Sequence, residues 1–126
     1  MLSQTTVLNT VDCSGIGLHT GIPCNLTIRP GPPDSGIVFI RKDLPQNVRI
    51  KAHIGNVVDA TLATTLGIDG VKVSTVEHLM AAFAGLGIDN AEVEMNAAEV
   101  PIMDGSAEPF NALLKRAGIQ LQDKVK

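Results

Sequence analysis

Apolar and polar residues alternate along the first third of the chain. Val7, Val11 and Cys13 fall on one side, and Cys24, Leu26 and Ile28 do the same on the returning segment. Pro23, Asn25, Thr27 and Arg29 take the opposite face, as a period of two requires for half-buried strands. The stretch Gly15-Ile16-Gly17-Leu18-His19-Thr20-Gly21 connects the two runs, its glycines permitting positive φ or close backbone approach. Residues 30–36, rich in proline and glycine, form a loop, and residues 37–41 and 48–52 are further strands.

The pattern then changes. Residues 61–68 and 71–74 are β-prone runs joined by Asp69-Gly70, a two-residue link that predicts a hairpin. A helix follows and stops at Gly85-Leu86-Gly87, after which residues 90–96 alternate with Val93 and Met95 inward. Phe110, Leu113, Leu114 and Ala117 obey the i, i+3, i+4, i+7 spacing of an amphipathic helix. Ser106 is its expected N-cap, Pro109 falls in the first turn and Gly118 follows the end. The sum is an α+β fold: a two-layer sandwich, with two helices on one face of a mixed or antiparallel sheet. The polar tail, residues 120–126, reads as the beginning of a linker and leaves residues 1–119 as one domain.

Composition narrows the function. A 126-residue chain buries roughly two-thirds of the surface its unfolded form exposes. With three Phe and neither Trp nor Tyr, the core is aliphatic and the stacking platforms of single-strand nucleic-acid binders are missing. A net charge of −3 without a Lys/Arg cluster excludes the footprint of a duplex binder. No charged segment precedes an apolar run at the N-terminus, and residues 79–88 fall well short of the ~20 needed for a membrane span. A cytoplasmic protein is expected. Cys13 and Cys24 are then reduced structural thiols, although a hairpin could bring them near each other. They lack the second pair of ligands that a structural zinc site requires.

The chemistry concentrates at Ser74-Thr75-Val76-Glu77-His78-Leu79. A carboxylate beside an imidazole at a helix start supplies a proton acceptor and a nitrogen ligand for metal-assisted hydrolysis. A plainer account exists. Ser74-x-x-Glu77 fits a capping box, and a histidine in an apolar helix is more often a hydrogen-bonded core residue. His78, Ala81, Ala82 and Gly85 share one stripe, whose small residues suggest that another backbone packs against it. His19 lies in the glycine-rich turn and His53 at a strand end, both readable as solvated. Met103-Asp104-Gly105-Ser106 reads as a structural turn.

Several segments in order resemble one family, the zinc-dependent UDP-3-O-acyl-N-acetylglucosamine deacetylases of lipid A biosynthesis. They are residues 15–21, Leu26-Thr27-Ile28-Arg29-Pro30, residues 73–79, Ala84-Gly85-Leu86-Gly87-Ile88-Asp89-Asn90 and Val100-Pro101-Ile102-Met103-Asp104-Gly105-Ser106-Ala107. The resemblance implies a ribosomal protein S5 domain 2-like fold, and it covers only the first of the family's two domains. By that likeness His78 matches a zinc ligand and Glu77 the general base for the hydrolytic water. Leu18, His19, Thr61 and Leu62 match positions bordering the substrate.

The family's other ligands, a His and an Asp at His-x-x-x-Asp spacing, belong to a second domain that this sequence does not match. The resemblance therefore implies a chain inactive by itself, with the nucleotide-sugar and the second domain as its partners. Uncovered, its small-residue stripe favours self-association. Two other classes stay open: a stand-alone interaction or regulatory module of the same fold, and an oligomeric metal protein that completes a site from His78 with His19 or His53.

Overall fold

The computed structural model describes residues 2–126. In chain order its strands are β1 (Ser3–Val7), β2 (Val11–Ile16), β3 (Pro23–Pro30), β4 (Ile37–Arg41), β5 (Val48–Lys51) and β6 (Val57–Asp59). They continue with β7 (Thr65–Ile68), β8 (Val71–Ser74), β9 (Ala91–Met95) and β10 (Ile119–Val125), with helices α1 (Glu77–Leu86) and α2 (Glu108–Ala117).

A five-stranded sheet in the order β2-β3-β9-β4-β5 forms one layer. Every pairing in it is antiparallel except β4 with β9, so the sheet is mixed. Leu26 and Ile28 of β3, Phe39 of β4, Ile50 of β5 and Val93 and Met95 of β9 bury their side chains on one face. Leu79, Ala82 and Phe83 of α1 and Phe110, Leu113, Leu114 and Ala117 of α2 complete the same core. Both helices therefore cover one face, as the periodicity requires. Each fully buried large apolar side chain contributes about 1.5–3 kcal/mol relative to an exposed one.

The other face is polar. Arg29 and Arg49 both pair with Glu92, and Arg29 and Lys42 both reach Glu94. Val38 and Ile40 of β4 are buried between these charged positions, next in register to Glu92 and Glu94. The long stems of arginine and lysine can shield apolar neighbours in this way while their charges stay in water.

Two local signals, a hairpin turn and a helix stop, hold in detail. Ile68 pairs with Val71 across Asp69 and Gly70, whose φ values of 51° and 80° suit the tight turn. Gly87 ends α1 in the left-handed conformation with φ 70°.

Four expectations change. Val7 does not share a strand with Val11 and Cys13: the chain bends after β1, which pairs with β10 in a separate two-stranded sheet. The tail expected to open a linker is therefore a strand, with Val7 opposite Ile119 and Thr5 opposite Leu121. Asn90 secures it by donating to both Gln4 and Gln122. The predicted run over residues 61–68 is ordered as strand only from Thr65, and β6 to β8 form a third sheet. Lastly, α2 starts at Glu108, and Ser106 contributes a 3.3 Å bond from the Glu108 amide to its hydroxyl from just outside the helix.

Candidate active site

The turn from β8 into α1 is set by tertiary contacts. The Ser74 amide donates to the Ala98 carbonyl at 2.7 Å, and the Val100 amide returns a bond to Ser74 at 3.0 Å. Thr75 then takes φ 61°, a conformation that is rare for a β-branched residue and costs of order 1–3 kcal/mol. Its amide donates to the Thr64 carbonyl at 2.9 Å and its hydroxyl to Glu99. This kink delivers Glu77 as the first residue of α1, where a carboxylate is favoured by the helix dipole.

The capping box does not form. Val76 is the N-cap and gives no side-chain bond, while Ser74 still belongs to β8 and its hydroxyl accepts from Thr65. Glu77 points elsewhere: its Oε1 accepts the Thr64 amide at 3.0 Å. Among the described residues Oε2 has no hydrogen-bond donor. Glu77 and His78 are both half-buried, so neither side chain belongs to the hydrocarbon core.

A cavity of about 360 Å³ opens beside this turn. His19 and Thr20 line it from the β2–β3 loop, Asp59, Thr61, Leu62 and Ala63 from the segment before β7, and Ser74 and Glu99 from behind. Three of the sequence-derived positions, His19, Thr61 and Leu62, thus meet at one cavity. Leu18, Glu77 and His78 are not among its lining residues. Leu18 is exposed next to His19, and Glu77 reaches the cavity wall through Thr64, between Ala63 and Thr65. Residues 61–63 line the cavity from outside the strand, with Asp59 Oδ1 accepting the Thr61 amide at 2.9 Å.

Glu99 has no counterpart in the sequence reading. Only 1% of it is exposed. Burial pushes its carboxyl up, yet bonds from the Thr75 hydroxyl and the Thr20 and His19 amides outweigh this and hold it below the ordinary glutamate range. Asp104 is also held low, first by the Ser106 hydroxyl and amide at 2.7 and 2.9 Å. Met103-Asp104-Gly105-Ser106 is accordingly a turn, as expected.

One feature departs from expectation. The small-residue stripe of α1 is not continuous, because Ala82 belongs to the core while Ala81 and Gly85 are exposed. Ala82 lies three residues beyond Leu79 and one before Phe83, so it shares their buried face. His53 lies apart from the cavity, bordering an apolar hollow with Ile54 and Val57, and its Nδ1 accepts the Gly55 amide.

The two cysteines are free. Cys13 lies opposite Leu26 and Cys24 opposite Gly15, so they are offset across the hairpin rather than paired. Burial pushes the Cys13 thiol up to about 11, which keeps it protonated and unreactive. Among the described residues no three His, Cys, Asp or Glu side chains cluster as a metal ion would require. Nor, among the described residues, is any helix long and apolar enough to cross a membrane.

Fold and site together define an α+β domain that presents an acid–imidazole pair at a helix start beside a cavity. The UDP-3-O-acyl N-acetylglycosamine deacetylase family matches residues 4–126, and the chain belongs to that family. It is 59% identical over 126 residues to a UDP-3-O-acyl-N-acetylglucosamine deacetylase of Teredinibacter turnerae, covering all of this chain and 42% of that protein. A protein of the same description from Chromohalobacter salexigens is 58% identical over 97% of this chain and 40% of its own length. The counterpart from Myxococcus xanthus is 56% identical over 98% and 40%. The chain thus spans about 40% of the length of the curated relatives it matches.

Proposed function

We propose that this chain is the N-terminal part of a zinc-dependent deacetylase that hydrolyses the acetamide of UDP-3-O-acyl-N-acetylglucosamine in lipid A biosynthesis. The observation that carries the reading is the anchoring of Glu77: one carboxylate oxygen is tied to the Thr64 amide, and among the described residues the other has no donor. A general base needs that division. The fixed oxygen orients the group, and the second can take a proton within hydrogen-bond reach.

In this mechanism Glu77 accepts the proton of the hydrolytic water as it attacks the acetamide carbon. The carbon–nitrogen bond then breaks, acetate leaves and the amine takes up a proton. His78 would hold zinc as one ligand. The donor chemistry suits this ion, since a neutral imidazole is a common zinc ligand and Glu77 is free to act as base. When bound, zinc polarises the acetamide carbonyl. His19, Thr61 and Leu62 face substrate across the cavity, with Leu18 at its edge. Thr61 presents a hydroxyl, and Leu62, 82% exposed, an apolar surface for the acyl side of the ligand.

One imidazole cannot retain zinc, because catalytic sites use three protein ligands. The remaining ligands belong to the part of the relatives' length that this chain does not span, and the chain by itself is inactive. Ala81 and Gly85 contribute to the surface that the second domain covers, and without that cover the chain self-associates. The reaction is cytoplasmic, where nucleotide-sugars are made, and two free thiols suit a reducing compartment.

The test is acetate release from UDP-3-O-acyl-N-acetylglucosamine. The protein extended through the length of its relatives releases acetate, the 126-residue chain alone does not, and Glu77→Ala in the extended protein abolishes release. His78→Ala lowers its zinc content as well. Undiminished release by Glu77→Ala overturns the assignment, and a monomer at every concentration in sedimentation overturns the self-association.

A further inference from the structure

Glu99 lies in the short segment between β9 and α2, and it is the one carboxylate in the cavity wall that water barely reaches. Burying a charge is unfavourable unless hydrogen bonds replace its hydration. Here the replacement is complete. Oε1 accepts the Thr20 amide at 2.8 Å and the His19 amide at 3.0 Å. Oε2 accepts the Thr75 hydroxyl and stands 3.2 Å from the same His19 amide.

These donors lie on two elements that are distant in sequence. His19 and Thr20 belong to the β2–β3 loop, and Thr75 to the turn that starts α1 two residues before Glu77. The packing around the carboxylate is close on both sides. A Cβ on Gly17 would overlap Glu99 Oε1, so the loop can approach only as glycine. Thr75 keeps its unfavourable φ with its hydroxyl on Oε2.

We propose that Glu99 is a positioning residue of the active site, holding the substrate-facing His19 loop at a set distance from the helix start that carries Glu77 and His78. The proposal rests on the function assigned above to Glu77 and His78. Glu99 itself touches neither. Its carboxylate is saturated by backbone and hydroxyl donors, so it acts through the elements it joins. An amide in its place would turn an NH2 group towards one set of donors and release it.

Two measurements decide the matter. In the 126-residue chain, amide hydrogen exchange of Glu99→Gln should accelerate at least tenfold at His19, Thr20 and the first turn of α1, and stay unchanged at Val93 and Leu114. In the protein extended through the length of its relatives, the same change should lower kcat for acetate release at least tenfold, with a smaller change in KM. Thr75→Val should reproduce both effects and Thr75→Ser neither, which keeps the test valid if Glu99→Gln fails to fold. Exchange that accelerates everywhere alike, or local loosening with kcat and KM unaltered, overturns the proposal. If the extended wild-type protein releases no acetate, the functional reading fails instead, and the exchange pattern alone decides whether Glu99 joins the two elements.

Discussion

The two helices pack on the same sheet but begin in opposite ways. The start of α2 is local: Asp104 accepts from Ser106, Ser106 accepts from Glu108, and every partner lies within five residues. The start of α1 is not. Thr75 binds Thr64 and Glu99, and Glu77 binds Thr64, partners 11 to 24 residues away. Helix α2 therefore needs only its own sequence to begin and serves the core with four buried residues. Helix α1 depends on two other segments, at Thr64 and residues 98–100, to aim its first residues, and those first residues are the ones proposed to carry the chemistry.

This contrast can be broken from the core side first. Leu114→Ala removes a fully buried side chain from α2 and should cost about 2–5 kcal/mol in urea unfolding, the largest effect foreseen. A loss below about 1 kcal/mol would mean that α2 matters less to the core than its burial indicates. Thr75→Val deletes the hydroxyl that binds a buried carboxylate and should cost about 1–3 kcal/mol by the same measurement.

Acidification sharpens the comparison at Glu99. Its carboxyl is held below the ordinary value in the folded state, so the unfolded chain binds that proton more readily. The resulting stability is present above the unfolded glutamate value of about 4.3 and is lost as pH falls through the folded one. Glu99→Gln should therefore flatten the acid limb of the stability–pH curve, and an unchanged slope would contradict the ionised buried carboxylate. The smallest effect belongs to Ser106→Ala, about 0.5–1 kcal/mol, because the two bonds lost, to Asp104 at 2.7 Å and from Glu108 at 3.3 Å, are both exposed.

Legibility followed the range of the interactions. Phe110, Leu113, Leu114 and Ala117 announce α2 because helical spacing places them on one face whatever surrounds them. Asp69-Gly70 announces its hairpin because the turn conformation is a property of those two residues. Ser74 and Glu77 match a capping box equally well in sequence, yet Ser74 is taken by the backbone of residues 98–100 and Glu77 by Thr64. Glu99 passes unnoticed between two alanines and Val100-Pro101, since its donors at His19 and Thr20 are about 80 residues away.

The β10 segment follows the same rule. Residues 120–126 are polar enough to read as a linker, and in isolation nothing in them demands a strand. Pairing with β1, 100 or more residues earlier, supplies the hydrogen bonds that make one.

The order of residues alone was enough to specify the two-layer architecture, the apolar faces of sheet and helices, and an adjacent acid and imidazole at a helix start. Those depend on periodicity and on neighbours in the chain. Tertiary structure alone chose which partner Glu77 holds, brought His19, Thr61 and Leu62 to one cavity, and buried Glu99 behind them. A hydrogen bond between distant segments exists only once the fold has brought its donor and acceptor together, so no local pattern encodes it.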